Sequence, residues 1–137
     1  MLRGFSFTTS DVLKPGGSKG LIASKLDSHF TKLGWIEKKF ETKIVVDEVE
    51  WNNKDPFYDR DLNNFRLLFE LRAIDAGVII TRCTELQQIF NKLGRGSSFG
   101  NSTTHMAKLL PRLEGGSGGG CPVVVFGIRA ACYVEDQ

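Results

Sequence analysis

The chain has 137 residues, with 18 Lys and Arg against 16 Asp and Glu, for a formal net charge of +2. That length suits one domain, residues 1–137, with a core large enough to fold without a metal or disulfide staple. A composition of 41% hydrophobic and 25% charged residues excludes collagen-like, disordered and membrane classes, and the small net charge excludes a histone-like binder while leaving room for a local basic cleft.

Residues 11–20, DVLKPGGSKG, read as a loop, since one Pro and three Gly leave no periodic pattern. GGSKG within it lacks the GxxxxGK(S/T) spacing of a phosphate-binding loop, and no strand precedes it. An amphipathic helix over about 19–33 is expected from Leu21, Ile22, Leu26, Phe30 and Leu33 at helical spacing, stopped by Gly34. Residues 40–51, FETKIVVDEVEW, are β-rich, and 52–60, NNKDPFYDR, form a polar turn in which Pro56 ends the ladder. A helix over roughly 60–75 follows, with Leu62, Phe65, Leu68, Phe69 and Ile74 on one face and Asp59 or Asp61 as its cap.

VIIT (78–81) reads as a short buried strand. Thr84 is placed to cap a helix over 85–93 that ends at Gly94. RGSSFGNS (95–102) is a polar loop, and 103–113 is a helix weakened at Pro111. EGGSGGG (114–120) is a flexible linker, and PVVVFGI (122–128) is a second buried strand. Short apolar strands alternating with helices imply an α/β fold, a small mixed sheet flanked by helices with some parallel pairing. Three cysteines, Cys83, Cys121 and Cys132, form no CxxC pair and have no histidines close by, so free thiols in a reducing, cytoplasmic setting are expected. The start, MLRGFSFTTSDVLK, lacks the apolar stretch of a signal peptide, and no run approaches the ~20 apolar residues of a membrane span.

The unusual feature is charge inside strand material. Glu48 and Glu50 are two apart, so on a strand they project to one face roughly 6–7 Å apart, while Val49 and Trp51 face the core. Two carboxylates this close repel unless a cation sits between them or both face water. Mg2+ takes hard oxygen ligands, one or two of them protein carboxylates, beside waters and a substrate phosphate. Glu-x-Glu ending a strand is therefore a candidate site for metal-assisted phosphodiester chemistry, against the alternative of a solvated strand face. Asn52, Asn53 and Lys54 follow directly. Asn can read the edge of adenine and Lys can meet phosphate. Arg60 and Arg66 lie near the next helix start, and SSFGNSTTH (97–105) adds a second set of short donors and acceptors.

EVEWNNKDPFYDRDLNNFRLLFEL, GVIITR and FGNSTTHMAKLLPRLEGGSGGGCPVVVFGI together resemble the BglII-type restriction endonucleases, related in fold to BamHI and belonging to the PD-(D/E)xK nucleases. The resemblance covers about residues 44–130. It implies a restriction-endonuclease-like fold and a Mg2+-dependent type II endonuclease acting as a homodimer on a short palindromic site in double-stranded DNA, with the apolar faces of the 60–75 and 85–93 helices suiting either the dimer interface or the core. By resemblance, Glu48 matches the metal-binding glutamate and Glu50 the third catalytic position. Asn52 and Asn53, with Lys54 in the same turn, match a segment that approaches the major groove, and Asn101, Ser102 and Thr103 match a second loop near DNA.

The family pattern also has an Asp on the preceding strand. Here no Asp lies between Ser28 and Val46, and the nearest acids are Glu37 and Glu41. IVVD joins EVEW directly, as if a turn and strand were absent between Asp47 and Glu48. A natural deletion, a shortened chain or a missing loop each accounts for it. Asp47 is the one close acid, and it shares a metal with Glu48 only if a bulge turns it. Weak Mg2+ affinity and impaired cleavage are therefore expected. The alternatives are a catalytically impaired DNA-binding descendant and an unrelated α/β interaction module.

Overall fold

The computed structural model describes residues 4–14, 20–34 and 45–136. Most of GGSKG, Glu37, Glu41 and residues 40–44 of the β-rich run lie outside the described residues. The elements in chain order are β1 (Phe7–Thr8), α1 (Thr9–Leu13), α2 (Leu21–Lys32), β2 (Val45–Glu50), α3 (Phe57–Glu70), β3 (Ala76–Arg82), α4 (Leu86–Lys92), α5 (Met106–Glu114), β4 (Val123–Ile128) and β5 (Tyr133–Val134).

Among the described residues, β2, β3 and β4 form a three-stranded sheet in that order, and β1 pairs with β5 in a separate ribbon. All of these pairings are parallel. Parallel neighbours need crossovers, which α3 supplies between β2 and β3, and α4 with α5 between β3 and β4. Helices therefore lie on both faces, and the strands carry apolar residues on both sides. On one face Val49, Val78, Ile80 and Ile128 meet Trp51, Leu86, Phe90, Phe99 and the N-terminal Phe7, Val12, Ile22 and Leu26. On the other, Ile79, Val123 and Val125 meet Tyr58, Leu62 and Phe65 of α3 and Leu109 of α5. The apolar faces proposed for either a core or a dimer interface thus lie largely in the core. Gly77 is required there, because a Cβ at that position would come within 2.3 Å of the Phe65 ring.

Several boundaries differ from expectation. Residues 11–13 are helical, not loop, because the Thr8 backbone N–H donates to Asp11 Oδ2 at 2.9 Å and Val12 is buried. Helix α3 begins at Phe57, three residues before the expected start. Pro56, at φ −62°, occupies its N-cap and starts the helix as well as ending the ladder. The same helix ends at Glu70, where Arg72 takes a left-handed φ of 56°. Ile74 then packs in the core from outside the helix. Glu85, not Thr84, is the N-cap of α4, and its carboxylate reaches forward to the Ala130 N–H at 2.7 Å. Residues 103–105 precede α5 and make other contacts. The glycine run is a pair of turns closed by Gly119 N–H to the Gly116 carbonyl and Cys121 N–H to the Gly118 carbonyl. The three cysteines are free.

Candidate active site

Strand β2 delivers its two glutamates to the α3 face of the sheet. Glu48 pairs in register with Ile79 and Glu50 with Thr81, while Val49 pairs with Ile80 toward the opposite core. The register from Val45 to Glu50 is unbroken. No bulge turns Asp47, which is exposed and on the other face from Glu48, so the two are not brought together.

Glu50 is only 1% exposed, and beside it lies Asp61 of α3, fully buried. Burial pushes the Glu50 carboxyl up to about 8, and contact with the Asp61 carboxyl adds to the rise. Asn53 and Arg60 oppose it. The Asn53 amide donates to Glu50 Oε2 at 3.0 Å, and an Arg60 guanidinium nitrogen stands 3.6 Å from Glu50 Oε1. The same guanidinium holds Asp61 Oδ1 at 2.5 and 2.7 Å and lies within the field of Glu48. It also sits over the Phe57 ring, 4.5 Å from the centroid. One half-exposed cation thus faces three carboxylates. Behind them, Thr81 Oγ1 donates to the Glu50 carbonyl at 2.7 Å, which leaves Tyr58 OH to donate to Thr81 at 2.6 Å.

The two polar loops meet at this end of the sheet. Lys54 and Thr103 form an antiparallel bridge. Around it, the Thr104 N–H donates to the Asn53 carbonyl at 2.8 Å, the Asp55 N–H to the Ser102 carbonyl at 3.1 Å, and the Asn52 amide to the Ser98 carbonyl at 3.1 Å. Asn52, Asn53, Lys54, Asn101 and Ser102 are exposed on the resulting ledge. Thr103 is buried, and its hydroxyl is engaged inward with the Gly100 carbonyl and with Arg82. Arg82, at the end of β3, is fully buried and donates from one nitrogen to both the Phe99 carbonyl and Thr103 Oγ1 at 2.9 Å. Burial lowers its guanidinium to about 10, so it stays charged at neutral pH.

Sequence reasoning treated Asp61 as a helix cap and left Arg82 unremarked. Asp61 was legible: it lies on the stripe of Tyr58, Leu62 and Phe65, where a carboxylate must be buried. Arg82 was less so, because its burial depends on a loop that returns from beyond α4.

Among the described residues no group of three or more His, Cys, Asp or Glu side chains converges to hold a metal. A divalent cation with two carboxylates nevertheless fits. The donors near Glu50 are hard oxygens, and Asp61 Oδ2 is buried without a hydrogen-bond partner among the described residues. Among the described residues no helix is long and apolar enough to cross a membrane.

No curated protein and no solved structure matches this chain. The family model of restriction endonuclease BglII/BglIII matches residues 44–128. That span runs from the β-rich segment before the paired glutamates through α3, β3, the ledge and α5 to the end of β4, more than half the chain. The chain therefore belongs to the BglII/BglIII restriction endonuclease family.

Proposed function

We propose that this protein cleaves double-stranded DNA at a short palindromic site as a homodimer, with Mg2+ as cofactor and Glu48 and Glu50 in the catalytic machinery. The observation that carries the reading is the pair of glutamates on one face of β2, beside a ledge of exposed Asn and Lys side chains. When bound, a divalent cation supplies polarisation of a phosphate oxygen and acidification of a water. Glu48, the more exposed of the pair, would hold it. Glu50 would accept the proton of the attacking water or hold the metal. Asn53 orients this carboxyl through its amide, and the Tyr58–Thr81 chain fixes the backbone beneath it. Asn52, Lys54, Asn101 and Ser102 meet the groove and backbone of the duplex. Thr103 supports that loop from within. A two-fold dimer mirrors a palindromic target.

The test is incubation of plasmid DNA with Mg2+ or Mn2+. Discrete cleavage products are expected, absent with chelator and absent in Glu48→Ala. A second reading, DNA binding without cleavage, is favoured by the lack of any Asp between Ser28 and Val46. It predicts no product but salt-sensitive binding, with a log–log slope of about −0.9 per phosphate contacted. Neither cleavage nor binding at low salt would sink both.

A further inference from the structure

We propose that Asp61, together with Glu50, is a ligand of the divalent cation, and that Arg60 stands in for the ion in its absence. This rests on the nuclease reading but assigns a residue that the glutamate motif does not contain. Three observations carry it. The buried Asp61 and Glu50 carboxylates face one guanidinium nitrogen of Arg60, 2.5 Å from Asp61 Oδ1 and 3.6 Å from Glu50 Oε1, an arrangement of buried acids that needs a positive charge beside it. Asp61 Oδ2 is sealed from water yet accepts no hydrogen bond among the described residues, so a hard oxygen donor is already desolvated and unused. Among the described residues the one cation touching both carboxylates is Arg60, the member of the cluster that solvent reaches, with its side chain half exposed.

Geometry explains why Asp61 comes to this place. Strand β2 ends at Glu50, the chain turns through Pro56, and the first turns of α3 run back over the sheet. Tyr58, Asp61, Leu62 and Phe65 form the inward stripe of α3, and Asp61 is the position on it nearest the carboxyl end of β2 that also carries charge. A second carboxylate therefore arrives from the crossover helix, where the family pattern takes one from the strand before Glu48. Arg60 is one residue away, with its side chain half exposed and over the Phe57 ring at the solvent side, so it can swing into solvent without unpacking the helix.

Isothermal titration of the purified protein with MnCl2 alone, without DNA, decides the matter. The wild-type chain is expected to bind Mn2+. Asp61→Asn, which keeps the shape, is expected to weaken binding by about tenfold or more. Arg60→Gln, which frees both carboxylates, is expected to tighten it. Wild-type affinity in Asp61→Asn, or no Mn2+ binding by the wild type, overturns the proposal. If Asp61→Asn fails to fold, unchanged or weaker binding in Arg60→Gln overturns it, and tighter binding upholds it. Cleavage that depends on Glu48 but coexists with undiminished Mn2+ binding in Asp61→Asn would sink this assignment and leave the nuclease reading standing. Asp61-dependent Mn2+ binding without cleavage or DNA binding would do the reverse.

Discussion

The backbone of Lys54 pairs with that of Thr103 in an isolated antiparallel bridge, and Thr103 is itself held from below by the buried guanidinium of Arg82. The turn after β2 and the loop before α5 are thus parts of one surface whose strut is the last residue of β3. Arg82→Met removes the donors to Thr103 and to the Phe99 carbonyl. An unsatisfied buried carbonyl costs about 1–3 kcal/mol, so amide exchange at Thr104 and Asp55 is expected to speed by about tenfold or more. Amides of Ile79 and Ile80, inside the sheet, are expected to keep their protection. Equal acceleration at all four sites, seen by hydrogen exchange, would show that Arg82 stabilises the whole fold and not the loop.

Glu50 makes the stability of the metal-free protein depend on pH. Its carboxyl titrates at about 8 in the folded chain, above the ordinary value of 4.5. The folded state then holds a proton that the unfolded state has released, so stability is complete below about 4.5 and declines as pH rises to about 8. Denaturant unfolding at stepped pH is expected to show this decline. Glu50→Gln is expected to flatten the curve and to be the more stable protein at pH 8.

Gly77→Ala is expected to destabilise the protein by about 1–3 kcal/mol, the usual cost of overpacking a core. The added methyl would meet the ring of Phe65, which is fully buried and has no room to withdraw. Phe65→Leu in the same chain is expected to recover part of the loss. Additive losses in a thermal unfolding comparison would show that the two residues do not compete for one space.

Arg112 grips Asp59 through two nitrogens at 2.7 and 3.0 Å, joining α5 to α3. The guanidinium holds the Asp59 carboxyl below its usual range. Because Asp59 is largely exposed, Arg112→Ala is expected to cost no more than about 1 kcal/mol, and less in high salt. A larger and salt-independent loss would point to the packing of Arg112 against Tyr58 instead.

Strand β3 was legible from VIIT, because a strand buried on both faces carries a continuous apolar run. PVVVFGI was legible as a strand but not as an edge: among the described residues β4 ends the sheet and exposes Val124 and Phe126, so the expected burial on both faces does not hold. Helix α2 was legible from its single apolar stripe. The start of α3 was not, since Pro56 satisfies the rule for ending a ladder and the rule for opening a helix equally well. The glutamate pair was legible because strand alternation alone puts both on one face. Its buried companion was visible only as an acid out of place on an apolar stripe, and its contact with Glu50 depends on how closely the crossover packs. The inward turn of Thr103 lay beyond any local pattern, because it answers to an arginine on a different strand.

A parallel sheet has a direction, and here the direction separates two kinds of surface. Glu50, the ledge and Arg82 gather where β2 and β3 finish, whereas the exposed turns of Gly115, Gly116 and Ser117 lie ahead of β4, beyond the start of the neighbouring strand. Those remote turns between α5 and β4 suit a dye or a surface tether, because a label placed there leaves the carboxyl ends of β2 and β3 unobstructed.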